Sequence, residues 1–189
     1  AGGQIAVMVT DFIQGLFASI VIIIILVFIF ISLDWSQVTE ALLMAPEGAS
    51  LINPHQGGKV EEDFNFWYFA MLAVLSFYRH KSWQGTQGYN CAALSPHEAK
   101  MGAVLGSLRG MSQNLLLVML AVAALTLMRH PDFSHITTQV NGVLDTIGND
   151  ETRNQMIVPA VMSRFLCPGL VGAFCAVFLA AFISTHDTY

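Results

Sequence analysis

Charge is what this sequence has least of. Only 11% of its 189 residues are Asp, Glu, Lys or Arg, where a soluble domain carries about 25%. Lys and Arg number 8 against 13 Asp and Glu, a formal charge of −5. Without a basic excess there is no electrostatic footprint for a phosphate backbone, and nucleic acid is not expected as a partner. Cysteine is scarce too: Cys91, Cys167 and Cys175 form no CxxC pair, so neither a zinc site nor a disulfide framework is indicated. GxSxG, HExxH and phosphate-loop patterns are absent, and no enzyme chemistry is expected. What fills the space is apolar: 54% of the residues are hydrophobic, which excludes a disordered tail and points to the bilayer.

The few charges cut the chain into long uncharged stretches. Phe12 to Leu33 is 22 residues without a charge, between Asp11 and Asp34. Gly110 to Met128 is 19 residues long, and Phe165 to His186 is 22. A hydrocarbon core of about 30 Å needs roughly 20 helical residues, so each stretch can cross once. The β-branched run Val21 to Val27 could read as a buried strand, but strands seldom exceed about 10 residues. A signal peptide does not fit the first stretch, which lacks Lys and Arg on its N-terminal side and is too long. Phe64 to Tyr78 is apolar and aromatic but short. It runs into Arg79-His80-Lys81 and then Ser82 to Asn90, where Gly85 and Gly88 stand among polar residues. Such an interruption at membrane depth needs protein or a water-filled cavity over it. Discontinuous helices of this kind line binding sites in secondary transporters.

The reading is therefore an all-α polytopic membrane protein with four spans, near 5–33, 64–94, 97–129 and 156–189. The second span is expected to be broken within Ser82 to Asn90. The connections 34–63 and 130–155 are long and polar. The first is acidic and should carry a short surface helix around Gln37 to Met44. The second has turn signals at Pro131, Asn141-Gly142 and Gly148-Asn149. From Arg79 to Arg109, around the join of the second and third spans, stand Arg79, Lys81, Lys100 and Arg109 against Glu98 alone. The positive-inside rule puts that connection in the cytoplasm, with the N-terminus cytoplasmic and both long loops outside. His97-Glu98 after Pro96 reads as a helix start, and Arg109 and Arg164 as interface anchors whose stems snorkel. The whole of 1–189 reads as one membrane domain and as a piece of a longer protein, whose remaining helices would be its first partners.

Two helix faces carry polar groups. Asp11, Gln14, Gly15 and Ala18 share a face of the first span, at i, i+3, i+4 and i+7. An Asp there is either a rim residue or a functional one, because burying it in a membrane is costly. In the last span, Gly169, Ala173, Ala176, Ala180 and Ser184 form a small-residue stripe suited to close helix contact. Ala181, Ser184, Thr185 and Thr188 share another face. Hydroxyls and carbonyls suit a hard cation such as sodium. The same hydroxyls can instead bond back to the preceding turn.

Three stretches together resemble the sodium:solute symporter family. Gly2 to Gln14 is similar to its glycine pair, Ala-Val, then Thr-Asp and Gln, entering the fifth core helix. Trp83 to Gly102 resembles the broken sixth helix and the approach to the seventh. Ala180 to Asp187 resembles the eighth-helix segment with paired hydroxyls and a following Asp. Departures occur after the break, where Cys91-Ala92-Ala93 stands in place of a Gln-Arg pair, and at Ser82, where a gate aromatic is usual. The resemblance implies a LeuT-like fold of two inverted five-helix repeats, with this chain holding core helices five to eight. It implies sodium at Ala181, Ser184 and Thr185, with Asp11 close to that site without ligating it. Trp83 matches the aromatic at the sixth-helix break.

The function expected is sodium-coupled symport of a small polar solute by alternating access, in a bacterial inner membrane. Trp83, Gln84 and Gln87 are expected on the solute pathway. A channel, a sensor, or a structural subunit that keeps the same helices is the competing reading.

Overall fold

The computed structural model describes residues 3–44, 50, 66–82 and 84–187, with the side chains of 3, 4, 66–69, 79–82, 84–86, 89, 185 and 187 outside the description. The described chain is helical and divides into two compact units, Ala1–Ala41 with Arg109–Tyr189, and Leu42–Leu108.

The first unit opens with α1, Gly3–Ser32, 30 residues and about 45 Å long at 1.5 Å per residue. Val21, Ile22, Ile25, Leu26 and Ile29 are buried along one stripe, while Ile20, Ile23, Ile24, Val27, Phe30 and Ile31 are exposed. A helix at a water surface would place polar residues opposite its buried stripe. Here isoleucine, valine and phenylalanine occupy that side, as a lipid-facing surface requires. Leu33 closes the helix by donating its N–H to Ile29 O at 3.1 Å. The Asp34 N–H then donates to Gln37 Oε1 at 3.2 Å, half of a capping box that starts α2, Trp35–Leu43. This is the short helix expected after the first span.

In the second unit lie α3, Phe66–Ser82, and α4, Gln84–Ala92. Trp83, between them, lies outside the described residues. From Gln84 onward the expected interruption is not seen: Gly85 and Gly88 fall inside the regular helix α4. Each glycine costs about 1 kcal/mol relative to alanine in a helix, which lowers helical stability without removing a backbone donor. The helix α5, Pro96–Arg129, begins at Ser95. Its Oγ accepts from the Glu98 N–H at 3.3 Å, and Glu98 Oε2 accepts from the Leu94 N–H at 3.2 Å. That N-cap, with Glu98 reaching back to the residue before it and Pro96 at the first helical position, is the helix start expected at Pro96.

The rest of α5 belongs to the first unit. Leu116, Met119, Leu120, Ala123, Ala124 and Leu127 are buried at helical spacing, with Thr126 wholly enclosed. The Thr126 hydroxyl is satisfied by Val122 O at 2.9 Å. Pro131 ends the helix in a 3₁₀ turn, Pro131–Phe133, followed by α6, Ser134–Leu144. The expected turn at Asn141-Gly142 is instead the last part of this helix. Ile136, Val140 and Leu144 are buried at i, i+4 and i+8, and that apolar face overrides the turn tendency of the Asn-Gly pair. Gly148-Asn149 does form a connection. Asn149 caps α7, Asp150–Phe165, by accepting from the Thr152 N–H at 3.0 Å.

The last span differs from the expected 156–189. The apolar helix is α8, Pro168–Asp187, and residues 156–165 belong to α7. Proline is the cause: it lacks an amide donor and disfavours helix at the residue before it. The chain is already extended at Leu166, the C-cap of α7, with φ −76° and ψ 142°. The helix α8 packs along α1, α6 against α7, and α7 against the start of α8. The contacts set the direction. Phe165, just before α8, meets Phe28 near the end of α1, ring centroids 5.3 Å apart, and Ser184 near the end of α8 meets Asp11 near the start of α1. The two helices therefore run antiparallel. Among the described residues, Ile5–Ser32 and Pro96–Arg129 are long and apolar enough to cross a membrane, with Pro168–Ser184 a shorter apolar helix.

Candidate functional site

The site is where the polar ends of α1 and α8 meet. In α8 the covered and half-covered positions Ala173, Ala176, Val177, Ala180 and Ser184 share one face. The small-residue stripe is thus mostly a packing surface, although Gly169 is exposed. Small side chains let two helices approach closely where lipid offers no competing hydrophobic force. Ser184 is the polar end of that stripe. Its Oγ donates to Asp11 Oδ1 at 2.5 Å, in a half-buried setting.

The Thr-Asp pair of α1 divides its work. The Thr10 hydroxyl bonds back to Ala6 O at 3.0 Å and Val7 O at 2.9 Å, within its own helix. Asp11, the next residue, turns to α8. Gln14, one turn further on the same face, has a buried Oε1 with no hydrogen-bond partner among the described residues. An unmatched buried amide oxygen costs about 1–3 kcal/mol, and a water or bound ion is the usual remedy.

Chemically, the Asp11–Ser184 pair does one specific thing. A hydroxyl has one proton and two lone pairs. With the proton committed to Asp11, the Ser184 oxygen presents only acceptor directions to anything else. Asp11 lies on the far side of that hydroxyl, on α1. Ala181, at i−3, shares this face of α8 and is exposed. Its carbonyl lies within the helix, which continues to Asp187. Thr185 is on the same turn, and its side chain lies outside the described residues.

The structure thus brings together Asp11 and Ser184 and keeps Ala181 beside them. Gln84 and Gln87 belong to α4 in the other unit; Gln87 is exposed, and the Gln84 side chain lies outside the description.

Two features were missed by sequence reasoning. Arg109, expected to snorkel at an interface, instead lays its guanidinium against Gly15 of α1. The nearest atoms to a methyl group built on Gly15 are Arg109 Nη1, Cζ and Nη2, with Cζ at 3.0 Å and Nη2 at 3.5 Å. The Gly at i+4 from Asp11 was the available signal. The second feature is His130, whose side chain is only 9% exposed. Its Nε2 lies 3.2 Å from Glu40 Oε2 of α2, and its Nδ1 accepts from the Asp132 N–H at 3.3 Å. Gln37 Nε2 donates to Asp132 Oδ2 at 2.8 Å. These contacts fasten α2 to the turn after α5.

No curated protein and no solved structure matches the chain. A family model does, over residues 1–188, described as the sodium:solute symporter family. That span includes both helices of the Asp11–Ser184 contact, and the chain belongs to the sodium:solute symporter family.

Proposed function

We propose that the chain is the part of a sodium-coupled symporter that holds a sodium ion, and that the complete protein carries a small polar solute by alternating access. The hydrogen bond from Ser184 to Asp11, 2.5 Å between two helices far apart in sequence, is the observation that carries this reading. It supports a site in which Ser184 and Thr185 supply hydroxyl oxygens and Ala181 a carbonyl. Asp11 stabilises the ion from behind Ser184 without ligating it. Oxygen ligands without fixed charge suit a hard monovalent cation. A single carboxylate at one remove keeps the affinity in the range where a gradient can load and empty the site. Gln14 Oε1, buried and unmatched among the described residues, lies on the same α1 face.

The wider frame is a LeuT-like arrangement with four spans, N-terminus cytoplasmic, sitting in a cell membrane. Helices outside this chain complete the ion site and most of the solute site. Trp83, Gln84 and Gln87 line the solute path. The antiparallel course of α1 and α8 accords with that topology.

The test is binding of ²²Na⁺ to the purified complete protein at constant ionic strength. Ser184→Ala should weaken binding roughly 5- to 150-fold, the equivalent of losing a partner worth about 1–3 kcal/mol at a charged group. Thr185→Ala should do the same. If both variants bind ²²Na⁺ like the parent, the hydroxyls are packing groups and the ion binds elsewhere.

A further inference from the structure

The cation site has a second, opposite charge near it. Gly15 follows Asp11 by four residues on the same face of α1, about 6 Å along the helix axis. The guanidinium of Arg109 rests on Gly15, with Nη1, Cζ and Nη2 the atoms closest to where a β-carbon would stand. Gly15 is buried, and its carbonyl takes the Ser19 hydroxyl at 2.8 Å. The absent side chain at position 15 is what admits the guanidinium to this face. Arginine keeps its charge under all conditions a protein meets, so the approach places a permanent positive charge against α1 one helical turn from Asp11.

We propose that Arg109 is a positioning residue that holds down the affinity of the sodium site, and that Gly15 is the notch through which it acts. The inference rests on the sodium reading above and goes beyond it. A cation bound at Ser184 and a guanidinium at Gly15 would stand one helical turn apart along α1 and repel each other. Two unit charges about 8 Å apart, at an effective dielectric of about 30 to 60 for an exposed arginine, change a binding constant by roughly 3- to 10-fold. The sign is the informative part. An arginine that only anchors the helix or braces the fold would, on removal, leave sodium binding unchanged or weaker. An arginine that opposes the ion would, on removal, make binding tighter.

The experiment measures ²²Na⁺ binding to the complete protein, with choline chloride holding ionic strength constant. Arg109→Gln should lower half-saturating sodium roughly 3- to 10-fold. Arg109→Lys, which retains the charge, should stay near the parent. Gly15→Ala keeps Arg109 but forces its guanidinium off the α1 face, and should shift half-saturation in the same direction by a smaller factor. Alanine is also the better helix former, so this variant carries the test if Arg109→Gln fails to fold. Weaker or unchanged binding in Arg109→Gln and Gly15→Ala, with Ser184→Ala still impaired, overturns the role of Arg109 and leaves the sodium site standing. Parent-like binding in Ser184→Ala overturns the sodium site, and this inference with it.

Discussion

Replacing Asp11 with asparagine removes a charge while keeping an acceptor oxygen. The amide oxygen of the new side chain can still take the Ser184 proton, so the α1–α8 contact survives and the electrostatic contribution is isolated. The geometry sets the magnitude. Asp11 Oδ1 is 2.5 Å from Ser184 Oγ, and an oxygen ligand lies about 2.4 Å from an ion of this size. A sodium ion on Ser184 would therefore stand about 4–5 Å from the carboxylate. At an effective dielectric of about 20 to 40, that separation is worth roughly 2–4 kcal/mol. Half-saturating sodium should rise roughly 30- to 1,000-fold in Asp11→Asn, more than in Ser184→Ala. The assay is ²²Na⁺ binding to the complete protein, with thermal unfolding in detergent to confirm that both variants remain folded. A shift below about 3-fold, less than 1 kcal/mol, would refute the reasoning, because no carboxylate this close to the ion could act so weakly.

Three other outcomes follow from the same structure. His130→Ala should lower stability by about 1–3 kcal/mol, read as a lower unfolding temperature, since the imidazole joins Glu40 of α2 to the Asp132 amide from a nearly buried position. An unchanged temperature would mean that α2 is held by Val38, Ala41 and the Gln37–Asp132 hydrogen bond without help from His130. Gly142→Ala should stabilise by up to about 1 kcal/mol, because Gly142 lies within α6 and nothing stands within 4 Å of a built β-carbon; destabilisation would restore a turn at Asn141-Gly142. Single cysteines at Lys59 and Asp145 should react with a membrane-impermeant maleimide from outside the cell, and labelling from the cytoplasmic side alone would reverse the proposed orientation.

The helices were legible where a signal was local. The uncharged run from Phe12 to Leu33 fits α1, and Ser95-Pro96 with Glu98 fits the start of α5 because an N-cap is complete within a few residues. Leu33, Asp34 and Gln37 mark the passage into α2 in the same way. The boundaries that sequence reasoning missed were decided by competition. Asn141-Gly142 favours a turn, but Ile136, Val140 and Leu144 need a continuous helix to stay buried together, and the buried face wins. Gly85 and Gly88 suggest an unwound segment, yet each retains its backbone donor and α4 remains helical. Pro168 works the other way: within an apolar stretch it is easily absorbed into one long span, although its missing donor ends α7 and restarts the chain as α8.

The site was legible as two faces and not as a pair. Periodicity places Asp11 with Gln14 and Gly15, and it places Ala181 with Ser184. Nothing in a helical period says which face meets which. That information lies in the antiparallel course of α1 and α8, which depends on the connection through α6 and α7 and on Phe28 meeting Phe165 at the opposite end. The choice between a back-bonded hydroxyl and an outward one is open in the sequence for the same reason. Thr10 and Ser184 both sit in helices where bonding to the preceding turn is available. Thr10 takes that option, with Ala6 O and Val7 O. Ser184 donates across to Asp11, a carboxylate being a stronger acceptor than a backbone carbonyl that already serves the helix. The same competition explains Arg109. On an isolated α5 its lowest-energy course is to extend toward water, but in the first unit its guanidinium comes to rest against Gly15 of α1, where there is no side chain to hold it off.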